Sequence, residues 1–511
     1  MQFSKFKTKP FSHQIECLNK FGNFQNFALL AEMGTGKSWI IINNIADMWG
    51  RGEIDSALII APSGVRENWL LNELPAHMPD WCDYVAAGYF AAANKKEKND
   101  FENLFDAYFC KNKMRILVIN HEALQNKNGF AASEKFCRSS LNLAIILDES
   151  DAFKNPKALR TKNLLKLKKY AKFKRIMSGT PVNNSPFDLF SQFNFLDENI
   201  LKTNSFYAFK SEYAEMLQDG NPLLNAIKNK SGARFTPQIV ARGADGKPKF
   251  KNLDKLNALI KPYAFIIKRK DCLDLPPKIY KTLYFDLTAK QLKAYNKAKD
   301  ECRLILENEN ETAFNKLNAL QKCAQITSGF YLHENQKYLI GGENPKIELL
   351  RNLLVEKMHG KKVIIWARFR AEIKMIAELL QTLKLNEKNG VVGCGAAPIP
   401  YVEYHGGVAL ADRVNSVEAF ERGFTNIFLA NQQAAGVGLT LNAADCAIYF
   451  SNDFSLRARL QSEDRCHRIG QNKSVVYFDL CAKNTVDEIV LKALKSKKDI
   501  AELIVANNFA L

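Results

Sequence analysis

Short apolar runs recur along the chain, each closed by polar or glycine-rich residues. In the first half they are Phe27-Ala28-Leu29-Leu30, Ser56 to Pro62, Arg115 to Asn120, Leu143 to Leu147 and Arg175-Ile176-Met177. Runs this short and this uniformly apolar predict parallel strands buried on both faces. The stretches between them predict helices, with Trp39 to Ile45 inside one and Arg66-Glu67-Asn68-Trp69 opening another. The rhythm fades from about residue 196 to 261, which is polar, basic and broken by Gly232, Gly243 and Gly246. Leu275-Pro276-Pro277-Lys278 predicts a break. The rhythm then restarts with Lys362 to Ala367, Val402 to His405, Asn426 to Ala430 and Cys446 to Phe450. The expected fold class is α/β: two doubly wound parallel-sheet lobes with a mainly helical insertion. The expected boundaries are a first lobe over 1–275 with the insertion at about 196–261, a hinge and helical protrusion over 276–345, and a second lobe over 346–511.

Polar residues gather at the C-terminal ends of the predicted strands, where such a sheet places its site. After the first strand comes Ala31 to Ser38, AEMGTGKS, leading into a helix. Gly34 and Gly36 let the backbone around Thr35 curl so that its N–H groups converge, and the helix start aims its positive dipole end at the same point. Lys37 adds a cation for β- and γ-phosphates, and Ser38 a hydroxyl for Mg²⁺. This is a nucleoside triphosphate site, although Ala31 stands where the usual pattern has Gly.

Other strand ends carry complementary chemistry. Asp148-Glu149 is placed to hold Mg²⁺ through Asp148 and to orient and deprotonate water through Glu149. Ser178-Gly179-Thr180 offers two hydroxyls to those carboxylates. Gln14, upstream of the loop, carries an amide that is both donor and acceptor. In the second half, Arg465 and Arg468 are three apart and share a face if helical. An arginine finger of this kind is worth ~10³–10⁵ in rate. Arg457 and Arg459 fit a surface helix better. Gly436 and Gly438 permit close approach of a backbone.

Composition narrows the class. At 511 residues the chain exceeds one ordinary core. No apolar run reaches the ~18 residues of a membrane span, so no membrane partner is expected. The N-terminus lacks the apolar region of a signal peptide. The eleven cysteines are scattered without a C-x-x-C pair, which suits reduced thiols and a cytoplasmic setting. A net charge of +18 favours a polyanionic partner, most simply nucleic acid. From Lys157 to Arg175 there are nine basic residues and no acidic one, and basic residues again dominate from Lys228 to Lys281.

AEMGTGKS, LDESDAFKNPKALRTK, MSGTP, LANQQAAGVGLTLNAADCAIYF and QSEDRCHRIGQ resemble, in order, the ATPase motifs of superfamily 2 helicases. The likeness runs from about Phe11 to Glu488 and is nearest to the Swi/Snf-type group of double-stranded DNA translocases. Lys154-Asn155-Pro156, the stretch Tyr263 to Lys270 ahead of Leu275-Pro276-Pro277-Lys278, and the ending Arg468-Ile469-Gly470-Gln471 point there. The resemblance implies RecA-like lobes and a nucleic-acid-stimulated ATPase, with ATP and Mg²⁺ as ligands and duplex DNA as partner. It implies that Gln14 reads adenine, that Gly34, Thr35, Gly36, Lys37 and Ser38 cradle phosphate, and that Asp148 and Ser38 hold the metal. Glu149 would be the base and Arg465 and Arg468 the fingers. Gly436 and Gly438 would flank an interlobe ATP site, and Pro62 and Ser63 would track DNA. Ser150-Asp151 departs from the family's usual Ala or Gly followed by His. The expected setting is a compact monomeric motor of phage or bacterial type, in the bacterial cytoplasm or an infected host cell. The alternatives are a strand-separating DNA or RNA helicase in replication or recombination, and a non-catalytic nucleic-acid-binding scaffold.

Overall fold

The computed structural model describes the chain except residues 1–5, 180, 183–184, 219–220, 222–223, 225–237, 244–247, 273–275, 308–312, 334–335, 359, 386–396, 436–438, 469–470 and 497–511. It divides into two compact units, Met1–Leu273 and Asp274–Leu511.

The first unit is built on a seven-stranded sheet of order β3-β4-β2-β5-β6-β1-β7. Its strands are β1 (Asn26–Ala31), β2 (Ser56–Ala61), β3 (Tyr84–Gly88), β4 (Met114–Asn120), β5 (Leu143–Leu147), β6 (Ala171–Ser178) and β7 (Ala264–Ile267). Every pairing is parallel. The short apolar runs form the central strands because both faces are covered. Leu58, Ile60, Leu117, Ile119, Ile145 and Leu147 share a core with Phe136, Leu164 and Phe193 of the overlying helices. Their neighbours Ile59, Val118 and Ile146, pointing the other way, are equally inaccessible. β3 and β7 lie at the edges, and the apolar runs had not singled out either.

The helices are α1 (Ser12–Phe21), α2 (Lys37–Gly50), α3 (Ser63–Asn68), α4 (Leu74–His77), α5 (Lys95–Asn103), α6 (Lys127–Arg138), α7 (Leu159–Leu167), α8 (Leu189–Leu196) and α9 (Phe206–Tyr213). A π-helical turn, Trp69–Glu73, joins α3 to α4, so the helix expected at Arg66 starts at Ser63. Within the stretch expected as an insertion, α9 and the helix Leu253–Ile260 are joined by bridges Ala214↔Phe250, Met216↔Val240 and Arg242↔Pro248. Antiparallel backbone pairing thus accompanies the helices there.

The second unit has a six-stranded sheet of order β14-β15-β11-β16-β17-β8. These are β8 (Ile279–Phe285), β11 (Val363–Ala367), β14 (Tyr401–Tyr404), β15 (Ile427–Asn431), β16 (Cys446–Tyr449) and β17 (Val476–Ala482), again all parallel. Two small antiparallel pairs, β9 (Phe330–His333) with β10 (Gln336–Leu339) and β12 (Lys384–Leu385) with β13 (Ala397–Pro398), complete the described strands. Val363 and Ile365 face one core and Ile364 and Trp366 another, so this sheet too is covered on both faces. The stretch expected as hinge and protrusion supplies the edge strand β8. Its helices Ala289–Glu307 and Ala313–Thr327 pack with Phe369, Val486 and Val490 of the second unit. No helix among the described residues is long and apolar enough to cross a membrane.

Candidate functional site

Five residues, Glu32 to Gly36, carry the chain from β1 into α2. Gly34 and Gly36 hold φ of 79° and 80°, the left-handed region that glycine enters without steric cost. At Gly36 a side chain is also excluded by space, since a Cβ there would lie 2.3 Å from Gln14 Nε2. The carbonyls of Glu32, Met33, Thr35 and Gly36, and that of Ala31 at the end of β1, are bonded within the protein. Lys37 Nζ donates to Ala31 O at 3.0 Å and Thr35 Oγ1 to Glu32 O at 2.7 Å. Arg269 donates to Met33 O, His13 Nε2 to Thr35 O at 2.8 Å, and Gln14 Nε2 to Gly36 O at 3.4 Å. With these carbonyls bonded, and Glu32 N and Thr35 N donating to Ile267 O and Glu32 O, the loop offers an anion its remaining N–H groups and the start of α2.

Gln14 sits behind the loop. Its Oε1 accepts from Phe11 N at 2.8 Å and its Nε2 reaches Gly36 O, so both ends of the amide are engaged with protein. Ser38 occupies the first turn of α2, half-buried.

Asp148 and Glu149 follow β5, two strands from the loop in the same sheet and at the same edge. Asp148 N still donates to Ile60 O at 2.8 Å, extending the ladder by one residue. Glu149 then takes φ 49°, which ends the strand and starts the 3₁₀ turn Ser150–Phe153. A non-glycine residue in that region costs about 1–3 kcal/mol, and such strain gathers at functional sites. Asp148 is buried, and its carboxyl is pushed up to about 7. Burial is the main cause and the charge of Glu149 the second, against the Trp69 hydrogen bond and the charge of Lys37. Trp69 Nε1 donates to Asp148 Oδ2 at 3.0 Å from the π-helical turn, and His121 Nε2 donates to Asp148 O at 2.8 Å.

Ser178 Oγ meets Asp151 Oδ1, in the acidic turn, at 3.5 Å. Ser150 turns inward to Gln192 Oε1 at 2.6 Å, and Gln192 Nε2 donates to Pro181 O at 2.8 Å. Gln192 therefore ties the acidic turn to the Ser178–Pro181 segment. Thr180 lies outside the described residues. Pro62 and Ser63 stand at the end of β2 and the start of α3, on the same sheet edge, with Ser63 exposed.

In the second unit, Arg465 and Arg468 do not share a helix face. The helix Leu456–Glu463 ends before them, and turns place them. Their guanidiniums converge nonetheless: Arg465 Nη1 and Arg468 Nη1 donate to Leu439 O at 3.1 and 3.2 Å. Arg468 also reaches Thr440 Oγ1 at 2.8 Å. The arginine stretch is thus laced to the segment that follows the glycine pair. Gly436 and Gly438 themselves, with Ile469 and Gly470, lie outside the described residues. Arg459 corrects the surface-helix expectation. It is buried, stacks 3.5 Å from the Tyr449 ring centroid, and bonds Glu463 at 2.7 Å and Asp479.

The functional contacts not anticipated from sequence are those of Trp69, His121, His13, Gln192 and Arg269. The one available signal was a polar or aromatic residue just past a strand end, as His121 is. Among the described residues no cluster of three or more His, Cys, Asp or Glu side chains could hold a metal.

Comparison with known proteins now decides the family. The family model described as the SNF2-related domain matches residues 13–332, more than half of the chain. The chain belongs to the SNF2-related family. A second model, the helicase conserved C-terminal domain, matches residues 345–470. Among SNF2-related proteins the chain is 27% identical over 492 residues to an uncharacterized ATP-dependent helicase of Mycoplasma genitalium, covering 95% of this chain and 40% of that one. It is 26% identical over 510 residues to the ATP-dependent DNA helicase DDM1 of Arabidopsis thaliana, covering 94% and 60%. The chain thus spans about half the length of the curated relatives it matches. A solved structure, the Sulfolobus solfataricus SWI2/SNF2 ATPase core in complex with dsDNA, aligns with a TM-score of 0.41 at 21% identity, covering 99% of this chain and 95% of that one.

Proposed function

We propose that this SNF2-related protein hydrolyses ATP and couples hydrolysis to movement along duplex DNA. The observation that carries the reading is the phosphate loop with its bonded carbonyls, on the same sheet edge as the buried Asp148-Glu149 pair. The loop N–H groups and the α2 terminus receive the phosphates. Lys37 exchanges its bond to Ala31 O for the β- and γ-phosphate oxygens. Asp148 and Ser38, two hard oxygen donors, suit Mg²⁺, which when bound draws charge from the transferring phosphoryl group. Asp148 must lose its proton to serve, and Lys37 and Trp69 favour that loss. Glu149 orients and deprotonates the attacking water. Arg465 and Arg468 supply positive charge from the second unit. Gln14 recognises the base, and Pro62 and Ser63 meet the DNA backbone.

The partner is a polyanion by charge. Of the nine basic residues from Lys157 to Arg175, five lysines are exposed, whereas Arg175 is fully buried on Asn44 Oδ1 at 2.9 Å and Gln25 O at 2.7 Å. The family and the names of its members support DNA over RNA. The deciding experiment measures ATP turnover without nucleic acid and with duplex DNA, single-stranded DNA and RNA side by side. Duplex DNA should stimulate most. Lys37→Ala and Glu149→Gln should each lose at least ~100-fold of turnover while DNA binding stays. Normal turnover in Glu149→Gln would remove the assignment of the base. Displacement of a triplex strand without unwinding of a forked duplex would separate translocation from strand separation.

A further inference from the structure

From the hydrogen bonds around the phosphate loop we infer that Arg269 is a positioning residue, setting the direction of the Gly34 N–H from outside the Ala31 to Ser38 segment. The inference rests on the nucleotide-site reading above. Arg269 follows β7, which pairs with β1 in the register Ala31↔Ile267. The pairing continues past both strand ends, since Glu32 N donates to Ile267 O at 3.0 Å and Arg269 N donates to Glu32 Oε2 at 2.9 Å. The guanidinium then folds over the loop, with Nε donating to Met33 O at 3.1 Å and Nη2 to the same oxygen.

A trans peptide holds its C=O and N–H in opposite directions in one plane. Fixing Met33 O toward Arg269 therefore fixes Gly34 N–H away from it. Gly34 has no side chain and a φ of 79°, so this peptide plane is otherwise free to turn. A turned plane would present a carbonyl to the phosphates where an N–H belongs. The other bonded carbonyls are held by His13, Gln14, Thr35 and Lys37, all from residues 13–37. Met33 is held from 236 residues away. It is also confined on its far side, because a Cβ at Gly179 would come within 3.2 Å of Met33 Cγ.

The planar fork of arginine matters here. Two of its N–H groups meet one carbonyl, and the point-like ammonium of lysine has no such fixed fork. The test uses the full-length chain, with binding of a fluorescent ADP analogue, KM and kcat for ATP, and the thermal midpoint. Arg269→Ala should weaken analogue binding and raise KM about tenfold, the factor of one lost charge-assisted hydrogen bond. It should leave kcat at saturating ATP within about threefold and the thermal midpoint near that of the wild type. Arg269→Lys should fall between. Lys37→Ala separates the two readings. If it binds the analogue as the wild type does, the nucleotide site itself is misplaced. If it is impaired while Arg269→Ala keeps wild-type affinity and KM, only the role of Arg269 is overturned. A loss of kcat at unchanged KM, or a loss of affinity in both variants that tracks the thermal midpoint, also overturns it.

Discussion

Asp148 is the residue where the folded environment most changes intrinsic chemistry. Its carboxyl ordinarily titrates near 3.8 and here does so at about 7, because burial and Glu149 disfavour the charged form. A raised folded-state value means that the folded chain holds more protons than the unfolded one between those limits. Asp148's contribution to stability is therefore full below about pH 4 and is lost as pH rises through about 7. Activity runs the other way, since a metal ligand must be ionised, and turnover should fall as acid protonates Asp148, at a pH below its metal-free value because bound Mg²⁺ favours the carboxylate. Trp69 supplies the direct check. Its N–H favours the ionised form, so Trp69→Phe, which keeps a ring and removes the donor, should move the acidic limb of the pH–rate profile upward. A limb that stays in place would show that Asp148 does not control it. Little of this was legible in the sequence. The Asp148-Glu149 pair and AEMGTGKS announce themselves because their chemistry is local. The bonds that tune them are not local: Trp69 meets Asp148 across 79 positions, and His13 meets Thr35 across 22. The same blindness placed Arg459 on the surface, whereas Glu463 and Asp479 make it a buried ion-paired group.

At the scale of elements, the strands that could be recognised were chiefly those buried on both faces, where uninterrupted apolar runs are required. Of the edge strands, β14 was legible and β8 was hidden because it is not covered on both faces. β8, Ile279–Phe285, is exposed over most of its length and carries a lysine and two tyrosines among its apolar residues. Helix α7 illustrates what a charge run leaves open. Lys162, Lys166 and Lys169 are exposed and spaced four and three apart, one stripe along the helix and its 3₁₀ extension. Its other residues, Leu164 and Leu167, enter the core. If the stripe lies on a phosphate backbone, each lysine displaces about one counterion, and the slope of log K against log salt falls by about 0.9 per contact. Replacing all three by Gln should reduce that slope by about 2–3 for duplex DNA. Basal ATP turnover should be unchanged. An unaltered slope would make the stripe a solvated face.

At the scale of the whole molecule, the connection between the units is short and fastened within each unit. On one side Arg269 is bonded to the phosphate loop. On the other, Pro276 O accepts from His467 Nε2 at 2.7 Å, and Lys278 Nζ meets Glu463 at 2.9 Å and Asp464 at 3.4 Å. Tyr280 adds a bond to Glu463 at 2.7 Å. Burial pushes the Glu463 carboxyl up, but the charges of Arg459 and Lys278 outweigh it and hold the group below its ordinary value. The chain therefore leaves the phosphate loop at Arg269 and enters the arginine stretch by Pro276. The segment expected as a hinge and helical protrusion begins as an attached part of the second unit's candidate machinery. If hydrolysis needs the loop from one unit and Arg465 and Arg468 from the other, the length of this connection sets how often they meet. Inserting twelve Gly and Ser residues between Asp274 and Leu275 leaves every named bond in place. For a flexible tether, effective concentration falls roughly as the −3/2 power of length, so tripling the roughly six residues between Arg269 and Pro276 gives about a fivefold loss. DNA-stimulated turnover should drop by about that factor, whereas binding of an ADP analogue to the first unit should not change. Turnover that survives the insertion intact would confine the catalytic groups to the first unit and remove Arg465 and Arg468 from the mechanism.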